Sequence, residues 1–373
     1  MSSRQELGAP PLSLSRQSFR ETVDLVRMAS SAIGVGTWPF AVRPVRDAAT
    51  MDAPSLDASL LSALGGESSA ALQRRCDVTN TTLRVLQAIR HVEHDRDVHS
   101  VGDFSWPNAA GQLQLDAALI EMRPLTQRLD GAMDTEMDVR HGGVMALEGS
   151  RGAIDAAMLV MCLSSHTYLS GCGARAFCGG LAPSMFAVGN TPRVDEPPVA
   201  VATHPASATP GQSQPSPSPM STVSVVEHRG HDTVGVVMFD PLAREMTVGC
   251  STSGMKHKHR GRVGDSPLIG SGLYGEALVG GCVATGEGDF ISTFPLCFVA
   301  VDQMRRNGGD PTAACGAALR RFLSLPHVVR EEARRRAAST PSSAAGVEVA
   351  LVAVSWETGR VGFACSPNLT ETF

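Results

Sequence analysis

The sequence has little charge and no long apolar run. Only 18% of its 373 residues are charged, and 32 basic side chains stand against 37 acidic ones, so the formal net charge is -5. Without a cationic surplus the chain offers no broad basic surface to nucleic acid. The longest apolar stretch, residues 156–163, is far shorter than the roughly 18 residues that a membrane helix needs. We therefore expect neither nucleic acid nor a membrane as a partner.

Cysteine motifs for zinc or redox chemistry are also missing. The nine cysteines include no CxxC pair, and none has zinc-ligand spacing to a histidine. Because their number is odd, at least one stays unpaired or pairs with another molecule. We expect mainly buried, reduced thiols, since free cysteine is commonly a core residue. His91, His94 and His99 lie in a charged segment without suitably placed carboxylates, and we expect them to be solvated. The sequence therefore predicts no metal site.

The first thirty residues lack the apolar core of a secretory signal. They mix charged side chains such as Arg4, Glu6 and Arg16 with polar ones. We interpret residues 1–30 as an N-terminal extension and do not expect export by the standard route.

What the sequence does contain is enough apolar residues for a large core, 43% of the chain, which excludes general disorder. Composition changes sharply only once. Residues 189–228 are dense in Pro, Ser, Thr and Ala, and we predict a disordered linker that acts as a plain spacer rather than a docking site. We interpret residues 31–188 and 233–373 as two parts of one domain.

Hydrophobic patterns on both sides of the linker predict mixed α/β structure. Helices are expected at residues 56–64, 81–92, 150–162, 298–306 and 311–323, and strands at 31–38, 113–122, 233–239, 246–252, 280–284, 347–354 and 360–364. The strands at 233–239 and 246–252 form a candidate hairpin covered on both faces. Two packed sheets with helices on both outer faces fit this pattern.

Four short motifs after the linker concentrate the candidate chemistry. They read RGHDTVG at 229–235, STSG at 251–254, GRVGDSP at 261–267 and ATGEGD at 284–289. Taken alone, each has an ordinary structural explanation. A threonine opening a strand is a good strand former, and charges three residues apart usually form a surface ion pair. Their order and spacing together are much more specific.

In that order the motifs resemble those of the glycosylasparaginases, or aspartylglucosaminidases, which are N-terminal-nucleophile hydrolases of the type 2 asparaginase family. The resemblance is almost free of gaps from residue 229 to about residue 318. Upstream it is patchier, with TWPF at 37–40, a glycine-then-LDA segment at 111–118 and HTYL at 166–169. It implies a four-layer αββα sandwich. Residues 102–107 depart from the family pattern, so the resemblance does not define the sugar side of the pocket.

The resemblance implies a precursor that cuts itself between Asp232 and Thr233. Physical chemistry supports the same idea, because a threonine hydroxyl is a poor nucleophile without a base nearby. Cleavage would free the α-amino group of Thr233, whose reference pKa of about 7.7 to 8.0 suits it to accept the hydroxyl proton. The amide nitrogen of an uncut chain cannot do so, and we expect the precursor to be inert.

The resemblance also assigns the other site residues. Thr252 is expected to orient Thr233, while Thr285 and Gly286 are expected to stabilise the oxyanion. The residues expected to bind substrate are Trp38, Arg262, Val263, Gly264, Asp265, Thr285, Gly286, Glu287 and Gly288.

Two charged residues of this set suit an aspartyl group. The fork of Arg262 matches an α-carboxylate, and Asp265 matches an α-ammonium group. Lys256 and Lys258 lie between the motifs, and we interpret both as solvated charges.

We expect an amidohydrolase that splits N4-(β-N-acetylglucosaminyl)-L-asparagine into aspartate and the sugar amine, with no metal or organic cofactor. The two cleaved subunits are expected to stay together and to pair as (αβ)2. An L-asparaginase or isoaspartyl (β-aspartyl) peptidase with the same nucleophile is the nearest alternative, although Asp232 and Trp38 favour the glycosylated substrate. An uncleaved, non-catalytic binding scaffold is another. Animal members of the family are lysosomal, whereas the missing leader points to the cytoplasm.

Overall fold

The computed structural model describes residues 76–96, 98–125, 136–149, 152–182, 233–338 and 346–367, and the backbone of 40–44. Trp38, Asp232, the expected linker, the strand at 31–38 and the helix at 56–64 lie outside these residues. No helix in the described part of the chain is long and apolar enough to cross a membrane.

The described residues form ten strands and seven helices. The strands are β1 (Phe40–Pro44), β2 (Gln114–Pro124), β3 (Met137–Glu148), β4 (Tyr168–Ser170), β5 (Val234–Asp240), β6 (Glu245–Thr252), β7 (Leu273–Glu276), β8 (Gly280–Gly286), β9 (Val349–Ser355) and β10 (Val361–Cys365). The helices are α1 (Asn80–Glu93), α2 (Ala153–Leu163), α3 (Gly171–Leu181), α4 (Gly288–Ile291), α5 (Leu296–Arg306), α6 (Pro311–Leu323) and α7 (Pro326–Ala338).

Most of the sequence-predicted elements that can be examined are confirmed. Helices α1, α2, α5 and α6 and the β5–β6 hairpin lie where the patterns predict them, within a few residues. Local signals explain two of the helix starts. The Thr79 hydroxyl accepts from the Thr82 amide at 3.1 Å ahead of α1, and Asp310 caps α6 just before Pro311.

The first sheet has six strands in the order β1-β5-β6-β2-β3-β4. Strands β5 and β6 follow the expected linker in sequence, yet they lie between β1 and β2, which precede it. Strand β5 pairs with β1 in parallel and with β6 in antiparallel fashion, and β6 pairs antiparallel with β2. The two parts of the chain therefore share one continuous sheet.

The second sheet, in the order β10-β9-β8-β7, packs face to face against the first. Ile120 and Val248 of the first sheet share a buried cluster with Val283 and Val354 of the second. Helices α1 and α2 bury their apolar side chains against the outer face of the first sheet, and α5 and α6 do the same on the second. The predicted four-layer αββα architecture is confirmed.

The thiols also follow the prediction. The nine cysteines are reduced thiols, and six of them are buried. His91, His94 and His99 are exposed, as expected from their charged surroundings.

Candidate active site

Thr233 lies immediately before β5, at one end of the space between the two sheets. It is 5% exposed, and its Oγ1 lies 3.2 Å from the Oγ of Ser266. Ser266 belongs to the GRVGDSP motif and directly follows Asp265. The hydroxyl expected to act as nucleophile is therefore joined to the loop expected to bind substrate.

The pairing of β5 with β6 brings Thr252 to the same place. Val234 pairs with Ser251 in antiparallel register, so Thr233, just before β5, lies beside Thr252, which follows Ser251. The Thr252 hydroxyl accepts from the Gly254 amide at 2.9 Å and donates to the Ser100 carbonyl at 3.4 Å. These contacts fix the end of β6 next to Thr233.

Thr285 reaches the site from the second sheet. A methyl group added to Gly235 of β5 would lie 2.9 Å from the Val283 side chain of β8. Two residues further along β5, at residue 237, the contacting residue of β8 is residue 281, two positions before Val283. The two strands therefore run in opposite directions. By the same relation, two residues before Gly235 and two residues after Val283, Thr233 and Thr285 lie opposite each other. The Thr285 hydroxyl is fully buried and has no hydrogen-bond partner among the described residues.

A cation and an anion flank Gly288. A methyl group added there would lie 2.7 Å from the Asp265 carboxylate and 3.0 Å from Nη2 of Arg262. One added to Gly264 would lie 2.9 Å from Nη1 of Arg262. Glycine at both positions therefore leaves room for the two charged groups. Arg262 forms an ion pair at 2.9 Å with Asp289, whose side chain is 59% exposed.

Burial makes the charged form of the Asp265 carboxylate unfavourable. It is 3% exposed, and Oδ2 accepts no hydrogen bond within the described part of the chain. Burial raises the pKa of Asp265 to about 7, and the positive charge of Arg262 opposes that rise. A bound ammonium group would satisfy the free oxygen and favour the charged form.

The remaining predicted residues have other surroundings. Gly286 ends β8 with φ +142°, and a side chain there would lie 2.1 Å from the Glu348 carbonyl. The Glu287 carboxylate is bound by Arg335, through two contacts of 2.6 Å, and does not join the cation and anion around Gly288. Val263 is partly buried between Arg262 and Gly264.

The structure corrects the interpretation of Lys258 as a solvated charge. Lys258 is 5% exposed, and its Nζ lies 3.5 Å from Oδ2 of Asp116 on β2. The partner is 142 residues away in sequence, so spacing gave no sign of it. Lys256 is exposed as predicted, and its Nζ lies 5.8 Å from the centre of the Trp106 ring. Trp106 belongs to the segment that departs from the family pattern.

Sequence reasoning also missed Ser266 and Asp116 as site residues. The signal for Ser266 was its place within GRVGDSP, and that for Asp116 its place in the LDA segment. Together, buried hydroxyls from both sheets meet a loop that carries one fixed cation and one buried carboxylate. This arrangement can hold a zwitterion beside an acyl-transfer nucleophile.

Comparison with known proteins identifies a family and several relatives. The asparaginase family profile matches residues 67–327. A Drosophila grimshawi protein, provisionally named an N(4)-(beta-N-acetylglucosaminyl)-L-asparaginase, is 30% identical over 66% of this chain and 63% of its own length. The Elizabethkingia miricola protein with that name is 29% identical over 65% and 61%.

An Arabidopsis thaliana protein named "Probable isoaspartyl peptidase/L-asparaginase 3" is 29% identical over 82% of each chain. The chain thus spans slightly under two thirds of the Drosophila grimshawi and Elizabethkingia miricola relatives and more of the plant one. Because the profile covers well over half of the sequence, including all four motifs between residues 229 and 289, the chain belongs to the asparaginase family.

Proposed function

We propose that the protein is an amidohydrolase that cleaves the side-chain amide of asparagine derivatives. The observation that carries this proposal is the pair of charges, Arg262 and Asp265, on either side of Gly288. An α-amino acid carries a carboxylate and an ammonium group on one carbon, and these charges are complementary to Arg262 and Asp265. With both held here, the side-chain carbonyl of the substrate extends toward Thr233, which Ser266 joins to the same loop.

The chemistry begins with cleavage of the chain between Asp232 and Thr233. The freed α-amino group of Thr233 takes the proton of its own hydroxyl, and the oxygen attacks the substrate carbonyl. Thr285 and Gly286 stabilise the oxyanion, a contribution of about 3 to 4 kcal/mol per donor in comparable sites. The amine leaves with the proton, and an aspartyl ester remains on Thr233. Water then hydrolyses the ester, releasing aspartate and restoring the hydroxyl.

The substrate we favour is N4-(β-N-acetylglucosaminyl)-L-asparagine. Support comes from the motifs and from the relatives of that name. The plant relative, which matches over a larger share of the chain, supports a second candidate, asparagine or a β-aspartyl dipeptide. All three substrates share the aspartyl end that Arg262 and Asp265 would bind, and they differ only in the leaving amine.

Turnover of the three substrates by one preparation separates these candidates. We expect the highest kcat/KM for glycosylated asparagine, and a higher value for β-aspartyl dipeptides would favour the peptidase. A protein that binds L-aspartate but turns over none of the three would instead be a binding scaffold. Thr233→Ala is the matched control and should lack activity on every substrate.

A further inference from the structure

Lys258 is a buried cation that the mechanism above does not use. Its side chain is 2% exposed, and its Nζ lies 3.5 Å from Oδ2 of Asp116. That separation is an ion-pair contact, longer than the roughly 2.7 to 3.2 Å of an N–H···O hydrogen bond. Neither Nζ nor Oδ2 has a hydrogen-bond partner among the described residues. A buried ammonium group with unused protons is costly unless it binds a further acceptor.

Asp116 is held in place by an irregularity of the first sheet. The register between β2 and β3 shifts at this residue, and Ala146 opposite has φ 47°. The Ala146 amide donates to Oδ1 of Asp116 at 2.7 Å, which leaves Oδ2 to face Lys258. On its other side Asp116 pairs with Thr252. Asp116 therefore lies in the same cross-strand row as Thr252 and Thr233, the proposed nucleophile.

Lys258 and Arg262 meet over Gly254. A methyl group added to Gly254 would lie 2.5 Å from Nη1 of Arg262 and 3.7 Å from Nζ of Lys258. Burial lowers the pKa of Lys258, the Asp116 carboxylate opposes that change, and the charge of Arg262 adds to it. Two neighbouring cations in a buried site favour an anion between them. The Asp289 partner of Arg262 is largely exposed, so a substrate carboxylate can take its place.

We propose that Lys258, held by Asp116, is a second substrate-binding cation that shares the α-carboxylate of the aspartyl substrate with Arg262. The inference rests on the proposed function, which it deepens by making a free α-carboxylate a requirement. Amides whose α-carboxylate is blocked or missing would place no anion between Lys258 and Arg262. The protein would then select amino-acid amides over simple amides of the same length.

The test compares matured Lys258→Gln with wild type, and Lys256→Gln is the matched control. Lys256 lies two residues away on the same loop but is exposed. Two competitive ligands separate the contacts, because β-alanine is L-aspartate without its α-carboxylate. In Lys258→Gln we expect the KM of the substrate and the Ki of L-aspartate to rise about 10- to 100-fold, the loss of one charge-assisted hydrogen bond. The kcat should stay within about threefold, and the Ki of β-alanine should not change.

An unchanged KM in Lys258→Gln, or equal weakening of L-aspartate and β-alanine, would overturn the inference. If that variant does not fold, Asp116→Asn keeps the cation but releases it, and its KM should rise while kcat is preserved; an unchanged KM would again overturn it. Wild-type protein that binds L-aspartate without turning over any of the three substrates would contradict the proposed function alone. The Lys258 contact is then read from calorimetric affinities for the same two ligands.

Discussion

At the scale of single residues, chemistry that the sequence could indicate differs from chemistry that only packing creates. Arg262 and Asp265 lie three positions apart in a glycine-rich loop, so the closeness of their charged groups could be predicted from the motif. The burial of Lys258 could not, because its partner Asp116 lies on a distant strand. Nor could spacing show that Ser266 contacts Thr233, a contact that forms only when the loop folds over β5.

Replacing Arg262 with lysine tests the carboxylate contact. Lysine keeps the charge but loses the planar fork that binds two oxygens at once. We expect the KM for aspartyl substrates to rise about 10- to 100-fold, measured by steady-state kinetics. Arg260→Lys is the control, because Arg260 lies in the same loop, is 58% exposed and pairs with Glu148. Equal KM values for Arg262→Lys and wild type would remove Arg262 from the substrate site.

The raised pKa of Asp265 predicts a pH dependence of ligand binding. Below about pH 7 the carboxyl is largely protonated and cannot pair with an ammonium group, so affinity should fall as pH falls. We expect the affinity for L-aspartate to rise by up to about tenfold per pH unit between pH 5 and 7, then to level off. Calorimetric titrations across this range would measure it. Asp265→Asn should bind weakly with no such slope; a slope equal to that of wild type would contradict the assignment.

At the scale of helices and strands, the elements that could be predicted are those whose own pattern is strong. The β5–β6 hairpin has apolar side chains on both faces, and α1 has a regular apolar stripe. Strand β3 was not predicted, because Gly142 and Gly143 interrupt its pattern. Packing against α2 requires glycine at the first of these positions, since a side chain on Gly142 would lie 2.3 Å from the Ala157 carbonyl. Helix α7 was missed because it is strongly charged and carries no apolar stripe.

Gly286 tests how the end of β8 is built. Its φ of +142° and the Glu348 carbonyl 2.1 Å from an added methyl group both oppose a side chain. We expect Gly286→Ala to lower the free energy of unfolding by about 2 to 4 kcal/mol, measured by urea denaturation. Gly173→Ala in α3 is the control, because nothing lies within 4 Å of the added methyl group. That change should be neutral or stabilising by up to about 1 kcal/mol. Equal effects would show that the end of β8 tolerates a side chain.

At the scale of the whole molecule, the two parts of the chain cannot be separated without breaking a sheet. Strands β5 and β6 lie between β1 and β2. Because Thr233 precedes β5, a cut before it leaves the pairing of the described strands intact. The four-layer arrangement could be expected from the family resemblance and from the patterns. The crossing that sets Thr285 opposite Thr233 could not, since it depends on how closely the sheets approach at Gly235.

Cleaved protein should therefore behave as one particle. We expect both chains to elute together in size-exclusion chromatography under native conditions and to separate only in denaturant. The hydrogen bonds of the shared first sheet and its apolar contacts with the second sheet hold the two fragments together. Elution of a separate smaller chain under native conditions would contradict this account.

The central claim is that Thr233 becomes its own general base when the peptide bond before it is cut. Intact-mass measurement of purified, active protein tests this most directly. The 39.1 kDa chain should give fragments of about 24 and 15 kDa, the smaller beginning Thr-Val-Gly, while Thr233→Ala should remain a single inactive chain. Full activity in protein whose Asp232–Thr233 bond is intact would contradict the claim.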